Sequence, residues 1–112
     1  MSHVIQDSAL EWQPVRPEVT HGIFGRTLLA DGVKVVLTRV APGGEFKVHR
    51  DKYGHLFYFL SGEGTLRVND QEYAAKPGLV ARILPGEPHA YANSGSEDLV
   101  LISLNLPVEK AE

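Results

Sequence analysis

The chain contains no cysteine. The absence of thiols excludes disulfides, thiolate nucleophiles, iron–sulfur clusters and cysteine-type zinc sites, so any metal must be bound by imidazole or carboxylate groups. The sequence also lacks an apolar run near the ~20 residues that a membrane span requires, and it lacks a basic N-terminal segment followed by an apolar one. We therefore expect a cytoplasmic protein with no membrane partner.

The chain also has little net charge and no cluster of basic residues. The 14 acidic residues exceed the 11 basic ones to give a formal charge of -3, and no run of Lys or Arg occurs. A nucleic-acid partner normally requires a basic patch, so we expect none. A length of 112 residues with 43% apolar content predicts one compact domain.

Turn-forming residues are abundant by contrast, with 11 Gly and 7 Pro spread along the chain. Their spacing leaves little room for long helices and favours short strands, so we predict an all-β sandwich, barrel or jelly roll. The strand candidates lie near 22–29, 33–41, 45–49, 55–60, 64–69, 71–75, 79–84, 88–93 and 98–105.

This pattern divides the chain into an N-terminal arm (1–20), a barrel (21–107) and a frayed tail (108–112). Pro14 and Pro17 oppose a helix in the arm, and Trp12 needs burial, so we expect the arm to add an edge strand to a neighbouring subunit. Segment 56–60 is apolar on both faces, which indicates packing on a second sheet or on a second copy. A homodimer is the simplest interpretation.

Three of the five histidines lie in patterned segments. In an extended segment, side chains two residues apart share a face, so His49 and Asp51 point the same way. A short hairpin-like return after residues 52–54 can bring His55 beside them. A second turn at Pro85-Gly86 presents His89, which could complete a metal site from an opposing strand.

These two segments resemble the paired motifs of the cupin superfamily. The first cupin motif, Gly-x5-His-x-His-x3/4-Glu-x6-Gly, is matched in spacing by Gly43, His49, Asp51, His55 and Gly62. The second motif, Gly-x5-Pro-x-Gly-x2-His-x3-Asn, is matched in spacing by Gly78, Gly86, His89 and Asn93. Leu84 departs from the motif proline, and Pro85 follows it.

The resemblance extends over about residues 33–105 and implies a double-stranded β-helix, the jelly roll of cupins. Asp51 replaces the usual second histidine, and His55 replaces the usual glutamate. The pattern is similar to that of small bacterial cupins with a four-histidine manganese site, with one histidine changed to aspartate.

The resemblance implies one divalent transition metal per subunit, bound by His49, His55 and His89. Imidazole and carboxylate donors suit Mn, Fe, Co, Ni or Zn rather than Ca or Mg, and we favour Mn or Fe. Asp51 is either a fourth ligand or a residue that orients a ligand or a bound water. It could also be an ordinary turn aspartate.

Alternation from the ligands predicts which neighbours face inward. Phe57 and Phe59 should fill the barrel, and Tyr91 should face the metal as a catalytic proton donor. We expect Tyr53 to be exposed. Arg39 and Arg82 are candidates to anchor a substrate carboxylate, although an ordinary surface position is the simpler expectation for both.

The resulting hypothesis is a metal-dependent enzyme that acts on a small organic molecule by dioxygenase-like oxygen activation or Lewis-acid chemistry. Isomerase and decarboxylase activities are less favoured. The main alternative is a non-catalytic cupin module that binds a metal or a small ligand. A metal-free structural cupin is a third interpretation, against which the preserved ligand spacing argues.

Overall fold

Nine β-strands make up the fold of this protein in a computed structural model that describes residues 4–107. The predicted tail 108–112 and the first three residues of the arm lie outside the described residues. Within residues 4–107, no helix has the length and apolar character needed to cross a membrane. After a 3-10 turn at Asp7–Ala9, the strands are β1 (Gln13–Pro14), β2 (Thr20–Asp31), β3 (Val33–His49), β4 (His55–Ser61), β5 (Gly64–Val68), β6 (Gln71–Ala75), β7 (Val80–Ile83), β8 (His89–Ala92) and β9 (Leu99–Asn105).

All strand pairs are antiparallel, and the central path of the sheet runs β6-β5-β8-β3-β9-β4-β7. β2 adds to β3 and carries β1 on its other side. The long strand β3 joins both halves, because Val40 pairs with Leu99 of β9 while Phe46 pairs with Tyr91 of β8. The sheet thereby curls around one interior, which confirms the expected all-β jelly roll.

Segments 33–41 and 45–49, which the sequence analysis separates by a turn, are one continuous strand in the structure. The Pro42-Gly43-Gly44 segment bends the strand without ending it, because its backbone stays hydrogen-bonded to Asn93, the residue directly after β8. The amide of Gly43 donates to Asn93 O at 3.2 Å, and the amide of Asn93 donates to Gly44 O at 2.9 Å. Turn residues therefore mark the bend that moves β3 from one half of the barrel to the other.

Strict alternation along β4 fills the barrel. Phe57 and Phe59 are buried, as predicted, while Tyr58 and Leu60 between and after them are partly exposed on the outer face. Burial of aromatic and branched side chains of this kind is the main stabilising term of a small domain. The buried apolar core contains Ile23, Val40, Phe46, Phe57, Phe59, Leu66, Ala75, Ile83, Tyr91, Leu99 and Leu101.

The N-terminal arm docks on its own barrel. β1 pairs with β2 of the same chain, so the expectation that the arm extends the sheet of a neighbouring subunit is not what this structure shows. The guanidinium groups of Arg26 and Arg39 lie 4.2 and 4.9 Å from the centre of the Trp12 ring. Cation–π contacts with the outer face of β2 and β3 therefore supply the burial that Trp12 needs.

Candidate metal centre

Four side chains from three parts of the chain converge at one end of the interior. His49 ends β3, Asp51 follows it, His55 begins β4 and His89 begins β8. His49 and His89 are direct partners in the β3–β8 register, with ring centroids 4.2 Å apart. The ring of His55 lies 4.9 Å from that of His89. Histidines from two motifs that are distant in sequence are thus brought together by the fold.

The route that brings His55 to this cluster differs from the hairpin-like return that the spacing suggests. In the sheet order, β9 lies between β3 and β4, so residues 50–54 cross from one strand to the other over the end of the barrel. Gly54 is required for this crossing, because a Cβ there would lie 2.8 Å from the carbonyl oxygen of Ile83. The two histidines meet across the curled interior rather than side by side on paired strands.

The donor atoms gather around one oxygen of Asp51. Its Oδ2 lies 3.2 Å from His49 Nε2, 2.7 Å from His55 Nε2 and 3.7 Å from His89 Nε2. Taken one atom each, the ligand atoms of His49, Asp51 and His89 are all within 4.8 Å of one another. Ligands that share an ion at bond lengths of about 2.1 Å are separated by roughly 3 Å, so the spacing of these three residues suits a single transition metal. His55 is outside that group and adjoins it through its 2.7 Å contact with Asp51.

The ring nitrogen Nδ1 of each of the three histidines lies within hydrogen-bond distance of an oxygen atom. Nδ1 of His49 contacts the Lys47 carbonyl at 2.8 Å, and Nδ1 of His89 contacts the Glu87 carbonyl at 2.9 Å. Nδ1 of His55 contacts Oδ1 of Asn105 at 3.1 Å. Because these oxygens accept hydrogen bonds, Nδ1 carries the proton in the tautomer that binds a metal, and the Nε2 lone pairs then face the cluster.

The cluster contains polar atoms that a bound cation would satisfy. His89 Nε2 is buried and has no hydrogen-bond partner among the described residues. At 2.7 Å, His55 Nε2 and the ionised Oδ2 of Asp51 need either a shared proton or a metal cation between them. A divalent ion would satisfy both groups, so the residues present fit a metal.

The pKa values of the four groups favour the metal-binding protonation states. Burial is the main cause that lowers the pKa of each histidine below 6.5. Burial would raise the pKa of Asp51, but in the metal-free protein the hydrogen bonds that His55 Nε2–H and Arg16 donate outweigh burial, so that pKa is lowered. At neutral pH the cluster offers three neutral imidazoles and one carboxylate, which are the forms that bind metals.

Arg16 is a site residue that the sequence analysis missed. Its Nη1 donates to Oδ1 of Asp51 at 2.9 Å, while the other oxygen of Asp51 faces the histidines. Arg16 has a φ of 42°, which non-glycine residues rarely adopt, and Thr20 Oγ1 donates to its carbonyl at 3.2 Å. No sequence pattern links a residue of the arm to an aspartate 35 positions later.

The cluster borders an inner cavity of about 250 Å³ through two of its four members, and an outer cleft of about 460 Å³ shares part of the cavity lining. Aromatic and polar side chains from several strands line the inner cavity, and Asp51 and His55 contribute to its wall. The space corresponds to about eight molecules of liquid water, so it suits a small ligand. The arrangement therefore places potential ligands of a metal beside room for a small molecule.

The remaining candidate residues divide into those that line this cavity and those that do not. Tyr91 is buried and lines it, with its ring edge to Phe57. Tyr53 also lines it and packs against His55 with ring centroids 5.1 Å apart, so the expectation of an exposed Tyr53 is wrong. The sequence gives no sign of this contact, because Tyr53 lies on a connection outside any strand pattern.

The two arginines considered as substrate anchors lie elsewhere. Arg39 pairs with Asp98 at 3.8 Å on the outer face, and Arg82 donates to the His55 carbonyl at 3.4 Å. Neither lines the inner cavity. Cationic groups do reach the cavity, but they come from other positions, Arg16 and Lys34.

Comparison with known protein families decides the family of this chain. The family model of the cupin domain (Cupin_2) matches residues 36–105, which is more than half of the chain. The chain belongs to the cupin family. The matched range contains all four residues of the candidate metal cluster and both motif-like segments.

Solved cupin-type structures share the fold over nearly the whole chain at low sequence identity. The polyketide cyclase RemF from Streptomyces resistomycificus superposes with a TM-score of 0.86 at 22% identity, covering 100% of this cupin and 83% of that chain. A predicted oxalate decarboxylase from Thermotoga maritima gives a TM-score of 0.85 at 21% identity, covering 94% and 99%. Structural similarity at this level of sequence identity establishes the fold and does not assign an activity.

Curated relatives match over a smaller part of their length. The L-lysine-epsilon aminotransferases of Mycobacterium bovis and Mycobacterium tuberculosis are 27% identical to this cupin over 100 residues. The match covers 82% of the cupin, which spans 22% of the length of those relatives. The similarity is therefore to a segment of a much longer protein.

Proposed function

We propose that this cupin is a metal-dependent enzyme that acts on a small organic molecule. The observation that carries the proposal is the convergence of Nε2 of three histidines around one carboxylate oxygen of Asp51, beside a cavity that Asp51 and His55 line. A site with protein ligands on one side and open space on the other is the general arrangement of catalytic metal centres.

The proposed ligands are His49, Asp51, His55 and His89, and the proposed ion is Mn or Fe, with Ni, Co or Zn as other ions that the donor set accepts. The placement of Asp51 Oδ2 near all three imidazoles supports a direct ligand rather than a turn residue. When bound, the ion supplies Lewis-acid polarisation or oxygen activation. We favour an oxidoreductase of the dioxygenase type over an isomerase or decarboxylase, because neutral imidazoles with one carboxylate suit Fe or Mn.

Residues of this chain would do the remaining work. Burial raises the pKa of Tyr91, and Asp51 adds to the effect, so the Tyr91 hydroxyl keeps its proton at neutral pH. We assign it the role of proton donor to a ligand in the cavity. Phe46 stacks on His49 with ring centroids 3.9 Å apart, and Phe57 lies 5.2 Å from His55. These rings hold the imidazoles in place and limit water around them.

The test is the metal content of the protein, purified without an affinity tag or added metal, for the parent and two variants. We expect about one equivalent of a transition metal per chain for the parent and for His21→Ala, and a loss of it in His89→Ala. His21 is a matched control because its side chain is exposed on β2. Equal metal content in all three proteins would contradict the proposed site.

Catalysis is separated from binding by Tyr91→Phe. With Fe or Mn bound, we expect this variant to retain the metal and to lose oxygen uptake on substrates that the parent turns over. If no small molecule is turned over by the loaded parent while ligands still bind, the non-catalytic binding module is the better description.

The homodimer and the cytoplasmic location remain predictions from the sequence. The molar mass of the protein in solution tests the homodimer.

A further inference from the structure

Lys34 lies on the cavity-lining side of β3 and is exposed to solvent at the mouth of the cavity. Lys34, Val36 and Thr38 alternate along this strand on the face that lines the inner cavity. Lys34 lies opposite Asn105 of β9, and Asn105 also lies opposite His55 of β4. With strands about 4.8 Å apart, the Cα atoms of Lys34 and His55 are separated by about 10 Å. One small molecule can therefore contact both the metal cluster and the lysine.

The charges that line the cavity are unbalanced. Among residues 4–107, the charged side chains that line it besides His55 are Arg16, Lys34 and Asp51. Arg16 and Asp51 neutralise each other in their 2.9 Å ion pair, whereas Lys34 makes no ion pair with another residue in the range 4–107. The cavity thus carries one excess positive charge before any metal ion is counted. An electrostatic field of this sign favours an anionic ligand.

Polar residues of β9 lie next to Lys34 in the cavity lining. Ser103 pairs with Val36 in the next row of the sheet, and Asn105 lies beside Lys34 itself. Asn105 uses Oδ1 to accept from His55, so the hydrogens on its Nδ2 are the donors that it can offer to a ligand. An ammonium group with an amide donor beside it is a suitable pair for a carboxylate.

Lys34 also stands at the entrance. Lys34, Tyr53 and Asn105 line both the inner cavity and the outer cleft, so a molecule that enters from the cleft passes between them. Asp31 lines the outer cleft but not the inner cavity. The uncompensated cation is therefore placed to act on the ligand both during entry and in the bound state.

We propose that the ligand of this cavity is a small organic acid with oxygen donors for the metal at one end and a carboxylate for Lys34 at the other. Lys34 is then the residue that selects acids from neutral analogues. The proposal rests on the metal site of the proposed function, since the metal-binding end of the acid needs the ion. The cavity volume of about 250 Å³ restricts the acid to a few carbon atoms or one ring.

The experiment compares two probes by calorimetric titration into the metal-loaded protein. The 2-oxo-acid group of 2-oxoglutarate and of 2-oxopentanoate offers the same oxygen donors, and only 2-oxoglutarate has a carboxylate at the other end. We expect 2-oxoglutarate to bind at least about tenfold more tightly to the parent, the size of effect typical of one charge-assisted hydrogen bond.

Three variants assign that preference to Lys34. Lys34→Met keeps the length and apolar stem of the side chain and should abolish the preference, while Lys34→Arg should keep most of it. Lys76→Met removes a lysine from an exposed turn and should leave both affinities unchanged. Metal content is measured on every sample before the titration.

The outcomes separate the two proposals. A parent that binds metal but shows no preference, or that binds neither acid, overturns the role of Lys34 and leaves the metal site intact. A preference that persists in Lys34→Met also overturns it. A parent that binds no metal in any reconstitution overturns the proposed function itself.

Discussion

Asn93 supports the bend of β3 and gives the clearest quantitative prediction. Its side chain is buried, and Nδ2 donates to the carbonyls of Val40 at 2.8 Å and of Glu97 at 2.7 Å. Its Oδ1 accepts from the amide of Gly95 at 2.8 Å. Three hydrogen bonds therefore depend on one side chain that joins the end of β8 to the middle of β3.

Asn93→Ala should lower the free energy of unfolding by about 3 kcal/mol, because each of the three bonds contributes about 1 kcal/mol net. For a domain of about 100 residues this corresponds to a fall in Tm of roughly 15 °C. Asn93→Asp should cost at least as much, because a carboxylate cannot donate to the two carbonyls and would lie beside them.

The assay is urea unfolding of the metal-free protein, followed by circular dichroism and by the fluorescence of Trp12. Removal of metal is necessary because metal binding to the native state would add to the measured stability. Ser94→Ala, at the exposed next position, is the control and should change the stability by less than about 0.5 kcal/mol. A loss below about 1 kcal/mol in Asn93→Ala would show that these hydrogen bonds do not hold the bend.

Two further predictions concern the cluster in the metal-free protein. Arg16→Met should destabilise the protein by about 1 kcal/mol in urea unfolding, because Asp51 is only 7% exposed and loses its partner, while the 41% exposure of Arg16 limits the effect. Arg67→Met is the exposed control. An equal loss of stability in both variants would contradict the role of the ion pair. The free energy of unfolding should also fall as the pH drops below 6.5, because the lowered pKa values of the three histidines mean that the unfolded chain binds more protons there. A second fall should follow below 3.8, where Asp51 with its lowered pKa is protonated more readily in the unfolded chain. Stability that stays constant between pH 7 and pH 5 would refute the assigned burial of the imidazoles.

The fold was predictable because alternation and turn residues determine the strands locally, and the grouping of the histidines was predictable from the spacing of the two motif-like segments. Alternation in β4 correctly placed Phe57 and Phe59 in the interior, and turn residues marked nearly every strand end. The Pro42-Gly43-Gly44 bend was misread as a strand end, since the same residues can terminate a strand or bend one that stays paired. Only the hydrogen bonds to Asn93 decide between these outcomes.

The other members of the site were not predictable because tertiary placement alone brings them there. Arg16 reaches Asp51 only after the arm has docked on β2. Lys34 is exposed, as expected of a lysine in a strand, and only the tertiary structure shows that it also borders the cavity. Tyr53 lies on a connection that crosses the end of the barrel, and the sequence pattern could not distinguish a crossing from a hairpin.

The hydrogen-bond acceptors that orient the three imidazoles at Nδ1 differ in how far a substitution can change them. His49 and His89 are each oriented by the backbone carbonyl two residues earlier, which remains whatever side chain occupies that position. His55 is oriented by the side chain of Asn105, which a single substitution can change. The basicity and angle of one imidazole are therefore open to adjustment by mutation, while those of the other two are built into the main chain.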